Sequence, residues 1–209
     1  MLKLLVPVAA LATVLTTISC VELGGNDDPD DRFYGYFLRD AKAMQDVGLP
    51  VYWLGREFNA AGLAFRGPYG AEFGGEVEGG GVFMGYVSWL DGTPFKGTNI
   101  SLEITVYSPH AWELARERMA NPSPQGIPRQ YSVTRQKVKV MGREAELISV
   151  PSATRPVNGV MLILELDPVV VVATGASVLS ADGASELSIF VKDPDLLVQV
   201  MQDLRPYPE

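Results

Sequence analysis

Chemistry in this chain has to be built from one histidine, one cysteine and a scatter of acids. A histidine-rich metal shell, an H-E-x-x-H pair or a cysteine-based zinc site needs several ligands at fixed spacing. His110 and Cys20 each stand alone in the sequence, so no metal site and no cofactor is expected. His110 reads as a solvated group on the first turn of a helix. Acyl transfer would need a serine beside a base and an orienting acid. Ser88 and Ser101 lie in strand-like runs, and there is no G-x-S-x-G elbow. The stretch from Gly74 to Gly81 is rich in glycine, but no G-K-[ST] follows it to make a phosphate loop. Paired carboxylates remain, Glu165 with Asp167 or Glu76 with Glu78. Glu165 is the most interesting of these acids, a weak candidate for catalysis, because it interrupts the apolar run VMLILEL. A glutamate on the wet face of a strand gives the same pattern. The aromatic residues Tyr52, Trp53, Tyr86 and Trp89 form a candidate ligand face, since rings line binding grooves; the same rings also fill small cores.

The elements that would carry these residues are legible as an α+β chain. Phe33, Phe37, Ala41 and Met44 recur at steps of three and four, which predicts a helix from Asp31 to Val47 ended by Gly48 and Pro50. The runs VYWLG, GLAFRG, VFMGYVSWL and SLEITVY then read as strands, with Tyr69–Gly81 as a loop or hairpin tip. Ser108 and Pro109 suit the cap and first position of a helix over His110–Ala120. Three prolines and a glycine in NPSPQGIPRQ end that helix and mark the clearest internal boundary.

Two strands about Met141-Gly142, two more meeting at Asp167-Pro168, and an alternating strand ELSIFV follow. A last helix runs from Asp193 to Leu204, stopped by Arg205-Pro206, with Leu196, Leu197, Val200, Met201 and Leu204 inward. Leu54-Gly55-Arg56-Glu57 is echoed by Met141-Gly142-Arg143-Glu144, and ITVY-Ser-Pro by SIFV-Lys-Asp-Pro. The echo predicts mostly antiparallel strands with covering helices, in two similar halves each closed by a C-terminal helix; coincidence of short motifs is the competing reading. The expected organisation is a signal peptide at 1–19, an acidic tether at 20–30, a first half at 31–120, a proline-rich connection at 121–129 and a second half at 130–209.

The leader gives the chain an address. Lys3 is followed by an uncharged run from Leu4 to Ser19 that stops at Cys20, the basic head and apolar core of a secretory signal. Pro7 breaks the run, which is short against the roughly 20 residues of a spanning helix. This segment resembles the signal of bacterial lipoproteins, although Thr17 and Ile18 depart from the usual form of the cleavage box. The resemblance implies that Cys20 is lipidated and becomes the new N-terminus, at an outward-facing membrane surface. Acylation would also remove the lone exposed thiol, and the polar stretch VELGGNDDPDD would be a tether.

With 17 basic and 25 acidic residues the chain has a net charge of −8. It lacks the basic cluster that nucleic acid requires. The expectation is an exported, lipid-anchored accessory or binding protein of the cell envelope. It would be non-catalytic, with membrane lipid held through its anchor and a protein partner or small ligand held on its sheet. The alternative is an enzyme that acts on an envelope polymer through carboxylates.

Overall fold

A computed structural model describes residues 29–60, 63–77, 81–90, 101–120, 134–150, 159–176, 178–179, 185–186 and 189–208. The expected signal peptide, Cys20 and the proline-rich connection lie outside these residues. Helix α1 spans Pro29–Asp46, so the last two residues of the expected tether are already helical, with proline at a position that needs no amide partner. Phe37, Ala41 and Met44 are fully buried, as their spacing predicts. Gly48, at φ 79°, closes the helix: its N–H donates to Gln45 O at 2.9 Å and Leu49 N–H donates to Met44 O at 3.1 Å. This left-handed glycine cap satisfies carbonyls that the helix end leaves open.

Strands β1 (Val51–Trp53), β2 (Glu57–Ala60), β3 (Leu63–Val77), β4 (Gly81–Leu90) and β5 (Ser101–Tyr107) come next, then helix α2 (Pro109–Ala120). Strands β6 (Thr134–Val140), β7 (Arg143–Val150), β8 (Gly159–Leu166) and β9 (Val169–Ala176) follow. The short strands β10 (Val178–Leu179) and β11 (Ser185–Glu186) precede helices α3 (Ile189–Lys192) and α4 (Pro194–Val200). A 3₁₀ turn at Met201–Asp203 leads into β12 (Arg205–Tyr207). The main sheet has eight antiparallel strands in the order β2-β3-β4-β5-β9-β8-β7-β6. Two four-strand meanders thus meet where β5 pairs with β9. The fold is α+β, with a mostly antiparallel sheet covered by helices.

Alternation sorts the side chains of the central strands. Leu162, Leu164, Val171 and Ala173 enter the larger core under α1, α3 and α4, whereas Ile163, Val170 and Val172 meet Trp112 of α2 on the other side. Burial on both faces explains why β8 and β9 are continuous apolar runs. Ser108 caps α2 as its position predicts: Oγ accepts from Ala111 N–H at 3.3 Å and from Val82 N–H at 3.0 Å. The same hydroxyl therefore fastens the helix to the start of β4.

Three segments differ from expectation. Tyr69–Val77 continues β3 and pairs with β4 through register shifts, where a loop was expected. Its glycines lack alternation, but Gly74 leaves room for the Phe83 ring of the neighbouring strand, space that a Cβ would fill. Of the strand expected over Glu186–Val191, Glu186 lies in β11 but Ile189–Val191 belong to the helix Ile189–Lys192, with Asp193 N–H donating to Ile189 O at 2.8 Å. Phe190 is fully buried there, against Gly175 and stacked on Phe65 at 6.1 Å. The echo of β5 is therefore not a strand. Finally, α4 ends at Val200, and Arg205-Pro206 does more than stop a helix. With Tyr207 they form β12 against β1, in the register Val51↔Tyr207 and Trp53↔Arg205.

Candidate functional site

The pairing of β1 with β12 brings the last described strand back beside the first, next to α1. Val51, Trp53, Arg205 and Tyr207 share one side of this ribbon, because opposite residues of an antiparallel pair point the same way. Helix α1 lays Tyr34 and Phe37 on that side. Phe37 stacks on Trp53 with centroids 5.4 Å apart, and Tyr34 lies 6.4 Å from Trp53 at an interplanar angle of 22°. Tyr207 meets Trp53 edge-on at 5.0 Å. Gln45 Nε2 donates to Tyr207 O at 2.9 Å and fixes the terminal strand to the helix.

Two arginines complete the group. Leu54, buried to 1% exposure, anchors the turn after β1, and Gly55 takes φ 94°, a conformation that glycine adopts without steric cost. A Cβ on Gly55 would collide with Nη2 of Arg205, so the guanidinium sits where only glycine leaves space. Arg205 Cζ is 6.0 Å from the Trp53 centroid, and Arg56 Cζ is 4.8 Å from that of Tyr34. Both arginines are exposed, whereas Tyr34 and Tyr207 are half-buried. The Tyr34 phenol is held above its ordinary pKa, chiefly by burial and then by Tyr207, with Arg56 opposing. It stays protonated at neutral pH and keeps an O–H to donate. The surface of the patch is thus rich in donors: two guanidinium groups and a phenol over a stack of rings.

The residues singled out from sequence fall in different places. Trp53 belongs to this patch at 7% exposure, and its buried indole N–H meets no acceptor. Tyr86 lies beneath it, 1% exposed and edge-on to Phe37 at 5.4 Å, with its hydroxyl donating to Tyr52 O at 3.0 Å. Burial pushes the Tyr86 phenol well above its ordinary pKa. Tyr86 and the Tyr52 carbonyl are therefore supports beneath the patch. Trp89 is in β4, with its backbone paired to Arg66 and Ser101, and its side chain is outside the described residues.

The acids do not gather at this patch. Glu165 is exposed on β8, opposite Val170 and on the α2 side of the sheet; Asp167 is exposed in the turn that follows. The side chains of Glu76 and Glu78 lie outside the described residues. Among the described residues, no three His, Cys, Asp or Glu side chains come together as a metal shell would require. His110 Nδ1 is 3.9 Å from Glu113 Oε2 on the surface of α2. Ser88 is buried at 1% exposure against Gly67.

Two features escaped the sequence reading. Arg56, Arg205 and Tyr207 converge only because β12 returns to β1, and no local pattern announces that pairing. Asp40 did leave a signal: it occupies the same helical stripe as Phe37 and Met44. It is 2% exposed, Arg39 Nε donates to its Oδ1 at 2.6 Å, and Oδ2 has no hydrogen-bond partner. That bond to Asp40 raises the Arg39 pKa. Comparison of the chain with known proteins finds no matching family model, no similar curated protein and no similar solved structure.

Proposed function

We propose that this chain is an exported lipoprotein, held to the outward-facing membrane surface through Cys20, that binds an envelope component without catalysing a reaction on it. The observation that carries the binding reading is the convergence of Arg56 and Arg205 on the rings of Tyr34 and Trp53. Guanidinium groups laid on aromatic faces lose less freedom when they take up a ligand than arginines moving in solvent. The anchoring reading draws on the run from Leu4 to Ser19, on the single cysteine that ends it and on the acidic stretch behind it. Only residues 21–28 separate Cys20 from α1. At about 3.3–3.6 Å per residue this tether would keep the folded part within roughly 30 Å of the bilayer. Two or three acyl chains hold a protein at a membrane without a spanning segment.

The test has two arms. In a bacterium that processes lipoproteins, the wild-type chain should take up labelled fatty acid and fractionate with membranes, whereas Cys20→Ala should remain larger and unlabelled. Equal size and equal membrane partition of the two would overturn the anchoring reading. For binding, dialysable and non-dialysable fractions of the envelope are added to the purified chain while its melting is followed. A rise in Tm with either fraction, lost in Arg56→Ala/Arg205→Ala, is expected. No rise with either fraction would overturn the binding reading.

A further inference from the structure

We propose that the open edge of strand β6 takes an extended acidic peptide segment of a partner protein as a ninth strand of the main sheet, at a surface separate from the ring patch. β6 ends the strand order, and among the described residues only β7 pairs with it. Its seven residues keep an unbroken register, from Thr134↔Ser149 to Val140↔Arg143. The closing pair of a two-residue hairpin exchanges both backbone hydrogen bonds, so Gln136, Val138 and Val140 turn their N–H and C=O groups toward β7. Arg135, Lys137 and Lys139 turn theirs outward. Gln202 marks that direction: its Nε2 donates to Lys139 O at 3.0 Å, and its Oε1 accepts from Met141 N–H at 2.8 Å. One side-chain amide thus sits on the edge as the peptide group of a neighbouring strand would. It covers only the end of β6 nearest the turn. Arg135 and Lys137 are exposed, and among the described residues neither makes a backbone hydrogen bond outside the ladder with β7.

The side chains say what a ninth strand must carry. Alternation puts Arg135, Lys137 and Lys139 on one face, a cation at every second position. β7 answers with acids at the same spacing: Arg135 Nη1 donates to Glu146 Oε1 at 2.9 Å, and Lys137 Nζ to Glu144 Oε1 at 2.7 Å. A strand on the open side lies about 4.7–4.9 Å away, so acids at alternate positions can meet the same cations from there. Charge favours this occupant. The hairpin carries Arg135, Lys137, Lys139 and Arg143 against only Glu144 and Glu146, in a chain whose net charge is −8. A second copy of β6 would set cation beside cation, which destabilises a strand pair. β2, at the other end of the sheet, is four residues long with Glu57 as its one charge, a poor match for β6 in a second copy.

Fluorescence anisotropy on the full-length chain in dodecyl maltoside, with the labelled peptide Ac-SEVEVES-NH2 as probe, tests the edge. This peptide should bind about tenfold or more tightly than Ac-SKVKVKS-NH2. The acidic peptide with its five central amides N-methylated keeps its charge but cannot pair as a strand, and its binding should be lost. Arg135→Gln/Lys137→Gln/Lys139→Gln should weaken binding about tenfold. Lys192→Gln, which removes an exposed cation on α3, should change nothing. Circular dichroism melting confirms that each variant is folded.

Hydrogen exchange followed by NMR reads the strand pairing itself. The amides of Arg135 and Lys137 should exchange freely in the free chain and become protected when the acidic peptide is added, whereas those of Gln136 and Val138 should be protected in both. No binding of the acidic peptide, equal binding of its N-methylated form, equal binding by the triple glutamine variant, or unchanged exchange at Arg135 and Lys137 would overturn the proposal. So would a dimer in sedimentation velocity whose Arg135 and Lys137 amides are protected without peptide, since a second copy would then hold the edge. The ring patch is read separately, through Arg56→Ala/Arg205→Ala, and its binding stands or falls without β6.

Discussion

Leu54-Gly55-Arg56-Glu57 and Met141-Gly142-Arg143-Glu144 are nearly the same four letters set in two different turns. The first joins β1 to β2, strands that do not pair with each other, so its backbone is free to aim Arg56 at Tyr34. The second joins β6 to β7, which pair residue by residue up to Val140↔Arg143. Met141 at φ 51° and Gly142 at φ 73° form the two-residue turn that matches the twist of a hairpin. Leu54 is 1% exposed, whereas Met141 is 38% exposed. Nothing lies within 4 Å of a Cβ built on Gly142, while Gly55 is filled by an arginine. What surrounds the four letters decides what they become.

The C-terminal segment holds both turns. Gln202 Oε1 accepts from Met141 N–H at 2.8 Å, and Gln202 Nε2 donates to Lys139 O at 3.0 Å. Three residues later, Arg205 reaches Gly55 and Trp53. Local sequence similarity is thus overlaid by long-range contacts that differ in kind, backbone hydrogen bonds at one turn and a ring-held cation at the other.

The largest effect expected from this contrast is at the first letter. Leu54→Ala empties a site in the main core and should cost about 2–5 kcal/mol, measured by urea unfolding. Met141→Ala removes a side chain from the surface and should stay within about 0.5 kcal/mol. Similar losses in both would mean that the two turns are equally built into the core.

The second letter should separate the turns more narrowly. Gly55→Ala and Gly142→Ala both place a Cβ in left-handed backbone, at about 1–2 kcal/mol each. Gly55→Ala must also expel Arg205 from its seat and forfeit the cation–ring contact, about 0.5–1 kcal/mol more at an exposed position. It should reduce the rise in Tm with an envelope fraction, and Gly142→Ala should not. Equal stabilities together with equal Tm responses to the envelope fraction would remove the distinction between the two glycines.

The sequence reads well where burial is periodic and poorly where it is not. Phe37, Ala41 and Met44 announce α1 because a helix covers the sheet with a single stripe, and the runs in β8 and β9 announce strands buried on both faces. Tyr69–Val77 looks like a loop because glycine carries no periodicity; its strand is imposed by the neighbour it pairs with. Ile189–Lys192 has too few residues to tell a period of two from one of 3.6, and only the seat at Gly175 selects helix. At the site, Trp53 was visible as an aromatic residue with two alternative uses. Arg56 and Arg205 were invisible as a pair because their meeting depends on β12 returning across the whole fold. Asp40 could have been read, since a charge on an apolar stripe asks for an explanation.

The smallest expected effect is a gain at Met141. Methionine at φ 51° bears a left-handed backbone cost that asparagine largely avoids, and Asn-Gly is the preferred pair for a two-residue hairpin turn. Met141 is 38% exposed, so exchanging it for asparagine gives up little apolar burial. Its tie to Gln202 runs through the backbone N–H and survives the exchange. Met141→Asn should therefore raise stability by about 0.5–1 kcal/mol, seen as a higher urea midpoint at an unchanged slope. At the matching letter of the first turn, Leu54→Asn should do the reverse, because it buries an amide in the main core. The gain at Met141 should also persist in a Gln202→Ala background, since the glutamine holds the backbone and not the side chain. A loss of stability in Met141→Asn, or a gain that vanishes with Gln202, would show that the second turn depends on its side chain as the first does.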